Sequence, residues 1–139
     1  MMFSAKAEYA CLASLELAAR YGDPKPVRLT DIADKHDIPP RFLVQILLQL
    51  KGAGLIASTR GASGGYQLAR PPDRISLGDI LSVIERADPN PASQKAEPTP
   101  LATALHDVWD TVASTRQKLL NDTTLAQIVS IGQGLQYVI

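Results

Sequence analysis

Three glycines fall within five residues between Arg60 and Tyr66, and two short stretches with strand character flank them. The first stretch is Leu55 to Ser58; the second runs from Tyr66 to Ala69 and ends at a pair of prolines. Glycine permits positive φ and a close approach of backbone to a ligand. The pattern predicts a β-hairpin with a slim, basic tip. A phosphate-binding loop is the alternative, but no helix follows the segment and the lysine of a Walker motif is missing.

Helical patterns precede this hairpin. Small and apolar residues recur at three- and four-residue intervals from Ser4 to Tyr21, which predicts a first helix. A short second helix is predicted over 31–36 with Thr30 as its N-cap, and a third from Pro40 to about Ala53. Helix, short helix, tight turn, helix and hairpin is the order of a winged helix-turn-helix. The expected fold class is therefore mainly α with a small β-hairpin, followed by a long dimerisation helix.

The third predicted helix has two contrasting faces. One face carries only leucine and isoleucine, and the helical period predicts that it is buried. The opposite face mixes a cation, an amide and two apolar side chains, which suits base edges and thymine methyls in a major groove. In the alternative interpretation, the two apolar residues merely widen the buried stripe. The first face consists of Leu43, Ile46, Leu47 and Leu50, and the second of Arg41, Val44, Gln45 and Leu48.

Three further segments follow the hairpin. Ser76 is expected to cap a helix from Leu77 to about Arg86, and the four prolines in residues 88–100 predict a flexible loop. A long helix from Leu101 to about Leu120 carries more apolar positions than one short domain needs, which suggests a partner chain. A short last helix through Ser130 and a glycine-containing tail complete the chain. The predicted units are 1–87 for DNA binding, 88–100 as the loop and 101–139 for dimerisation.

Composition and charge narrow the function classes. The chain has 139 residues, of which 45% are hydrophobic and 20% charged, so we expect a packed fold. A single cysteine, Cys11, excludes an intramolecular disulfide and a cysteine-rich metal site. Residues 1–75 hold ten Lys or Arg against seven Asp or Glu, and residues 76–139 hold four against seven, so only the first part suits an anionic partner. No stretch approaches the ~20 apolar residues of a membrane span, and we expect a cytoplasmic protein.

Several motifs together make the sequence similar to a known family. The chain resembles the Rrf-two family of bacterial winged helix-turn-helix transcriptional regulators over nearly its whole length, apart from residues 88–102 and the last several. The most specific match is the segment from Arg60 to Ala69. The other matching motifs are Ser4-Ala5-Lys6, Glu8-Tyr9-Ala10, Leu29-Thr30-Asp31-Ile32-Ala33, Phe42-Leu43 with Gln45, Leu50-Lys51 through Ala53-Gly54-Leu55-Ile56, Ile75 with Leu77-Gly78-Asp79-Ile80, His106-Asp107-Val108-Trp109 and Asp122 to Ala126.

The resemblance implies a homodimeric regulator, a repressor, that binds a palindromic operator in double-stranded DNA. The helix from Pro40 would enter the major groove and the hairpin, as the wing, the minor groove, while the helix from Leu101 would form the dimer interface. The residues that this places on DNA are Arg41, Phe42, Val44 and Gln45 on the recognition helix, Arg60, Gly61, Ser63, Gly64, Gly65 and Tyr66 on the wing, and Ser4, Lys6 and Thr30 at the DNA backbone.

Two departures from the family pattern affect the expected chemistry. Members that bind an iron-sulfur cluster place three cysteines in the stretch that here runs from about Asp88 to Thr103, and this chain has none there, so we expect no cofactor and no metal. Val44 replaces a glutamate able to accept a hydrogen bond from cytosine, so a different site is expected. A sensing role for an effector or metal at His106, with Trp109 nearby, remains open. Cys11 is expected to be a small buried hydrophobe, with redox sensing as the alternative.

Two other function classes are alternatives to DNA binding. An enzyme is not expected, because two histidines and one cysteine form no triad or metal-ligand spacing. A winged-helix module that only binds other proteins is the alternative, since a fold does not fix a function. Arg60 beside three glycines favours DNA, because a module that binds only protein does not need a basic, slim wing.

Overall fold

The computed structural model describes residues 3–85 and 98–138, and side chains up to residue 135. Within these ranges the chain forms six α-helices and one antiparallel hairpin, which confirms the predicted mainly α fold. A single 3-10 turn, Pro72–Arg74, follows the hairpin. The elements are α1 (Ala5–Ala19), α2 (Leu29–His36), α3 (Pro40–Gly52), β1 (Ile56–Thr59), β2 (Gly65–Leu68), α4 (Leu77–Ile84), α5 (Pro100–Asp122) and α6 (Leu125–Val138).

Helix α1 lies at the centre of the fold and packs against α2, α3, α4, α6 and β2. Its inward positions are small, and Ala7, Ala10 and Ala13 are fully buried. Small side chains let neighbouring helices approach closely, which is how one helix can contact five elements. Ser4 begins the helix, because its Oγ accepts a hydrogen bond from the Ala7 amide at 3.1 Å.

The turn between α2 and α3 is fixed by backbone hydrogen bonds. Asp37 adopts the left-handed conformation with φ of 52°, and the Ile38 amide donates to the Ala33 carbonyl at 2.9 Å. The Ile38 side chain is buried in the core, and Pro39 is extended before α3 begins at Pro40. The face of α3 that was expected to be buried is confirmed, because all four of its leucine and isoleucine side chains are fully inaccessible.

The prediction that Thr30 caps α2 is wrong. The helix begins at Leu29, and the Arg28 carbonyl accepts from the Asp31 and Ile32 amides at 3.1 and 3.3 Å. The reason is tertiary: Val27 is held extended by two backbone hydrogen bonds to Tyr66, at 2.9 and 2.8 Å. The chain can turn into a helix directly after that bridge, so Thr30 lies within the first helical turn.

The hairpin pairs β1 with β2 in antiparallel register, from Ile56 opposite Leu68 to Thr59 opposite Gly65. Ile56 and Leu68 are buried and fix the base of the hairpin to the core. The far end of the hairpin is exposed. The bridge from Val27 lies along the outer edge of β2, so the hairpin is joined directly to the segment that precedes α2.

The C-terminal helices differ from prediction at the start of α5 and at the end of α6. Most of the predicted loop at 88–100, and Arg86 at the expected end of α4, lie outside the described residues, but Pro100 is the first residue of α5 and Thr99 caps it. The expected end of the last helix at Ser130 is wrong, because α6 continues to Val138 through two glycines. A glycine inside a helix keeps its backbone hydrogen bonds and lowers helix stability by only ~1 kcal/mol. This local preference is too weak to end α6 at its glycines.

Helix α5 packs against α4, yet none of its residues is buried. Six of its large apolar side chains face solvent, from 46% exposed at Leu105 to 83% at Leu101. None of the helices in the described ranges is sufficiently long and apolar for a membrane crossing. The sequence predicts more apolar residues on this helix than one short domain can bury, and within a single chain they are indeed exposed. They are Leu101, Leu105, Val108, Trp109, Val112 and Leu119.

Candidate nucleic-acid interface

The outer face of α3 is open to solvent. Phe42 is 54% exposed, Val44 41% and Leu48 59%, and the Arg41 and Gln45 side chains beside them are also exposed. The interpretation that Val44 and Leu48 widen the buried stripe is therefore wrong. Because apolar and hydrogen-bonding side chains alternate on this exposed surface, it presents the chemistry that reads methyl groups and base edges.

The N-terminal end of α3 borders an open depression of about 630 Å³. Two prolines, Pro39 and Pro40, form one part of its lining, and Arg41, Phe42 and Gln45 form the rest. The guanidinium and the amide supply donors, and the positive end of the helix dipole lies at the same place. The predicted recognition residues are thus brought together at one end of one helix.

The backbone geometry at the tip of the hairpin requires glycines. Gly61 has a φ of +106°, and the Gly64 amide donates to the Gly61 carbonyl at 3.0 Å. A Cβ at Gly64 would collide with the Thr59 carbonyl oxygen, and one at Gly65 with the Val27 carbonyl oxygen. The fold therefore requires these glycines whether or not a ligand is bound. The exposed polar side chains at the tip are those of Arg60 and Ser63, with Ala62 exposed between them, and Tyr66 is half-buried.

Two side chains fix the hairpin relative to the helix-turn-helix. Arg28 Nη2 donates to the Ala62 carbonyl at 3.0 Å, which ties the start of α2 to the tip of the hairpin. Gln67 Nε2 donates to the Asp23 carbonyl at 3.0 Å, which ties β2 to the loop after α1. Sequence reasoning missed Arg28; its position as a cation immediately before a predicted short helix was the available signal.

The three predicted backbone-contacting residues are placed differently from one another. Thr30 is exposed on the first turn of α2, and Lys6 is half-buried on α1. The Ser4 hydroxyl donates to Glu85 Oε1 at 3.1 Å, beside the end of α4. A phosphate oxygen accepts hydrogen bonds, so Ser4 would have to release Glu85 before it could donate to DNA. Its role at DNA stays a prediction.

A buried carboxylate connects α1 to α2, and sequence reasoning missed it. Glu16 is 4% exposed; its Oε2 lies 2.8 Å from Arg20 Nε and its Oε1 lies 2.9 Å from His36 Nε2 and 3.2 Å from Lys35 Nζ. Burial raises the pKa of the Glu16 carboxyl, but hydrogen bonds from His36, Arg20 and Lys35 outweigh burial and hold that pKa below its ordinary value. The four-residue spacing of Glu16 and Arg20 was the only sequence signal.

The side chains do not fit an iron-sulfur cluster. Such a cluster depends on thiolates, and the chain has one cysteine. Burial, together with the nearby carboxylates of Glu85 and Glu8, raises the pKa of the Cys11 thiol to about 11, so it is protonated at neutral pH. Across residues 3–85 and 98–138, His, Cys, Asp and Glu side chains form no group of three that could hold a metal ion. The His106 ring instead lies edge-on to Trp109, with centroids 5.4 Å apart.

Comparison with known proteins identifies the relatives of this chain. The profile of the Rrf2 family, described as iron-dependent transcriptional regulators, matches residues 3–131. CymR from Bacillus subtilis is 34% identical over 137 residues, which cover 98% of this chain and 95% of CymR. The solved structure of IscR from T. potens is similar with a TM-score of 0.82 at 32% identity, over 98% of this chain and 91% of IscR.

The structure of B. subtilis CymR gives the same result, with a TM-score of 0.80 at 31% identity over 94% of this chain and 98% of CymR. These matches extend over the winged helix-turn-helix and the C-terminal helices together. Proteins of this family are transcriptional regulators that bind DNA, and they are not enzymes. The chain belongs to the Rrf2 family and is a DNA-binding transcriptional regulator.

Proposed function

We propose that this protein is a repressor that binds a palindromic operator as a homodimer and requires no iron-sulfur cluster. The observation that carries the proposal is the exposed face of α3, where Arg41 and Gln45 lie beside Phe42 and Val44. An exposed helix face that combines long donors with apolar groups is unfavourable in water and complementary to a major groove. Arg41 and Gln45 would select bases, and Val44 and Phe42 would contact thymine methyls.

The wing would hold the DNA backbone or enter the minor groove next to the recognition helix. Arg60 supplies the positive charge, Ser63 a hydroxyl donor, and Gly61, Gly64 and Gly65 keep the tip slim. Thr30, Lys6 and Ser4 would add contacts to phosphates. Contacts of this kind set affinity and its salt dependence without selecting bases.

The apolar face of α5 supports assembly into a homodimer. Leu101, Leu105, Val108, Val112 and Leu119 follow alternating spacings of four and three residues, with one position skipped, which is the spacing of a helix-helix seam. All five are exposed within one chain. A second copy of the same helix would cover them, and a two-fold axis would place two α3 helices on the two half-sites of a palindrome, ~34 Å apart or a multiple of it.

A signal, if the regulator receives one through the C-terminal helices, would enter beside this seam, at His106 and Trp109. Their rings contact each other on α5 between Leu105 and Val112. A metal or small molecule bound there would act by changing the distance between the two α3 helices. Regulation in cells that is unchanged by His106→Ala and Trp109→Phe would exclude this entry point.

The test is selection of a preferred duplex from random DNA, followed by affinity measurements with variants. Arg41→Ala and Gln45→Ala are expected to cost about 1 to 3 kcal/mol on the selected duplex and to relax base preference. Arg60→Ala is expected to weaken all duplexes similarly and to reduce the salt slope by roughly one unit.

Lys118→Ala is the matched control, because it removes an exposed cation from α5 and not from the proposed interface. It is expected to leave affinity and base preference unchanged. Base preference that is unaffected by both Arg41→Ala and Gln45→Ala would contradict the proposed interface.

A further inference from the structure

A cavity of about 320 Å³ lies among α1, α4, α5 and α6. We call it the four-helix cavity. Apolar cavities of about 150 Å³ hold a benzene molecule, and ligand pockets begin at roughly 300 Å³, so this volume suits a small organic molecule. The apolar residues that line the four-helix cavity are Ala7, Leu15, Leu77, Leu81, Leu120 and Ile128.

The charged groups lie around this hydrocarbon wall. Glu8 is part of the cavity lining and is exposed, so it lies at the edge of the cavity. The Glu85 carboxylate is also close, because its Oε1 accepts hydrogen bonds from the amide and the hydroxyl of Ser4, at 3.4 and 3.1 Å, next to Phe3 of the cavity lining. The thiol itself is neutral at pH 7, since burial and these two carboxylates raise its pKa to about 11. The surroundings of the cavity are therefore electronegative on the side of α1.

One cation lies near the opening. The Arg116 guanidinium stacks over the Phe3 ring, 4.7 Å from its centroid, and Phe3 is part of the cavity lining. Among the residues that the structure describes, these two carboxylates and one guanidinium leave an excess of negative charge. An anionic ligand would be repelled by this excess, whereas a cationic one would be attracted.

We propose that the four-helix cavity is a binding site for a small apolar molecule that carries one cationic group. The hydrocarbon body would lie against the leucines, and the cation would remain at the opening beside Glu8. This site is separate from the proposed DNA-binding face on α3. Because it is walled by α1 and by the C-terminal helices, a bound molecule would contact both the winged helix-turn-helix and the proposed dimerisation unit.

The test is isothermal titration calorimetry on the full chain without DNA, so that its failure would leave the proposed DNA-binding function untouched. Three probes share a phenyl ring and a four-methylene chain: phenylbutylammonium, phenylbutanol and phenylpentanoate. Phenylbutylammonium is expected to bind roughly tenfold more tightly than phenylpentanoate, with phenylbutanol between them. No detectable binding of any probe would overturn the proposal, and so would equal affinity for the cation and the anion. A cavity closed by a side chain of a second copy would give the first of these results.

Variants distinguish the contribution of the apolar lining to binding from the contribution of the charge. Glu8→Gln is expected to reduce the preference for the cation severalfold while phenylbutanol binding is retained. Cys11→Met adds volume inside the cavity and is expected to weaken all three probes at least about tenfold, and Leu77→Phe serves as a second filling variant should Cys11→Met fail to fold. Asp34→Asn, which removes an exposed carboxylate from α2, is the matched control and is expected to change nothing. Unchanged affinities in a folded filling variant would overturn the proposal.

Discussion

At the scale of single residues, the Glu16 carboxylate attaches α2 to α1 through ion pairs and a hydrogen bond. It is buried on α1, and two of its three partners, Lys35 and His36, belong to the last turn of α2. Arg20 and Lys35 supply positive charge to this carboxylate. A buried carboxylate without such partners would carry a large desolvation cost. The position of α2, and with it the turn into α3, therefore depends on this one ionised group.

The lowered pKa of Glu16 predicts a specific acid sensitivity. Its stabilising contribution is complete above the ordinary carboxyl value of 4.5, which applies to the unfolded chain, and is lost as pH falls through the lower folded value. We expect the free energy of unfolding to decline below about pH 4.5. Glu16→Gln should lower stability by about 1 to 3 kcal/mol at neutral pH and flatten that decline. Urea denaturation at several pH values measures both effects.

Asp34→Asn is the control for this experiment, because Asp34 is exposed on α2. It should retain both the stability at neutral pH and the decline on acidification. A Glu16→Gln protein whose stability falls with acid as steeply as that of the parent would show that Glu16 does not carry the effect.

At the scale of elements, the wing depends on close backbone packing. Gly65→Ala would place a Cβ against the Val27 carbonyl, which neither backbone can easily accommodate. We expect this change to cost about 1 to 3 kcal/mol of stability and to weaken DNA binding, since the bridge to Val27 positions both α2 and the hairpin. Thermal unfolding and operator affinity are the measurements. A Gly65→Ala protein of parental stability would contradict the close packing.

A glycine substitution in α6 is expected to raise the stability of the protein instead of lowering it. Gly132 lies inside α6 with open space around the position of a Cβ and no positive φ. Gly132→Ala should therefore stabilise the protein by roughly 0.5 to 1 kcal/mol through the helix propensity of alanine. A decrease in the melting temperature would indicate that α6 does not continue through this residue.

The elements also show how far sequence reasoning reaches. The two faces of α3 and the two strands were predictable, because each follows from a local period or from glycine and proline. Thr30 and the end of α6 were mispredicted, because a bridge to Tyr66 and continued helical hydrogen bonding outweighed local propensity. The Glu16 partners were beyond prediction, since Lys35 and His36 meet it only after α2 folds onto α1. The exposed α3 face was predicted from periodicity, and its function from resemblance.

At the scale of the whole molecule, the exposed seam on α5 and the exposed face of α3 have a common explanation. In the proposed homodimer a second copy would cover the seam, and the resulting two-fold symmetry would present two recognition helices to one duplex. The single cysteine leaves this assembly without the thiolates that a cluster would need. We therefore expect a cluster-free dimer on one operator.

Native mass spectrometry of protein purified without oxygen and mixed with its selected duplex tests this claim in one spectrum. The expected mass is that of one duplex plus two 14.9 kDa chains, with nothing added. The same complex should form after treatment with a chelator or exposure to oxygen. A complex with a single chain would contradict the dimer, and additional mass from iron and sulfide would contradict the cluster-free regulator.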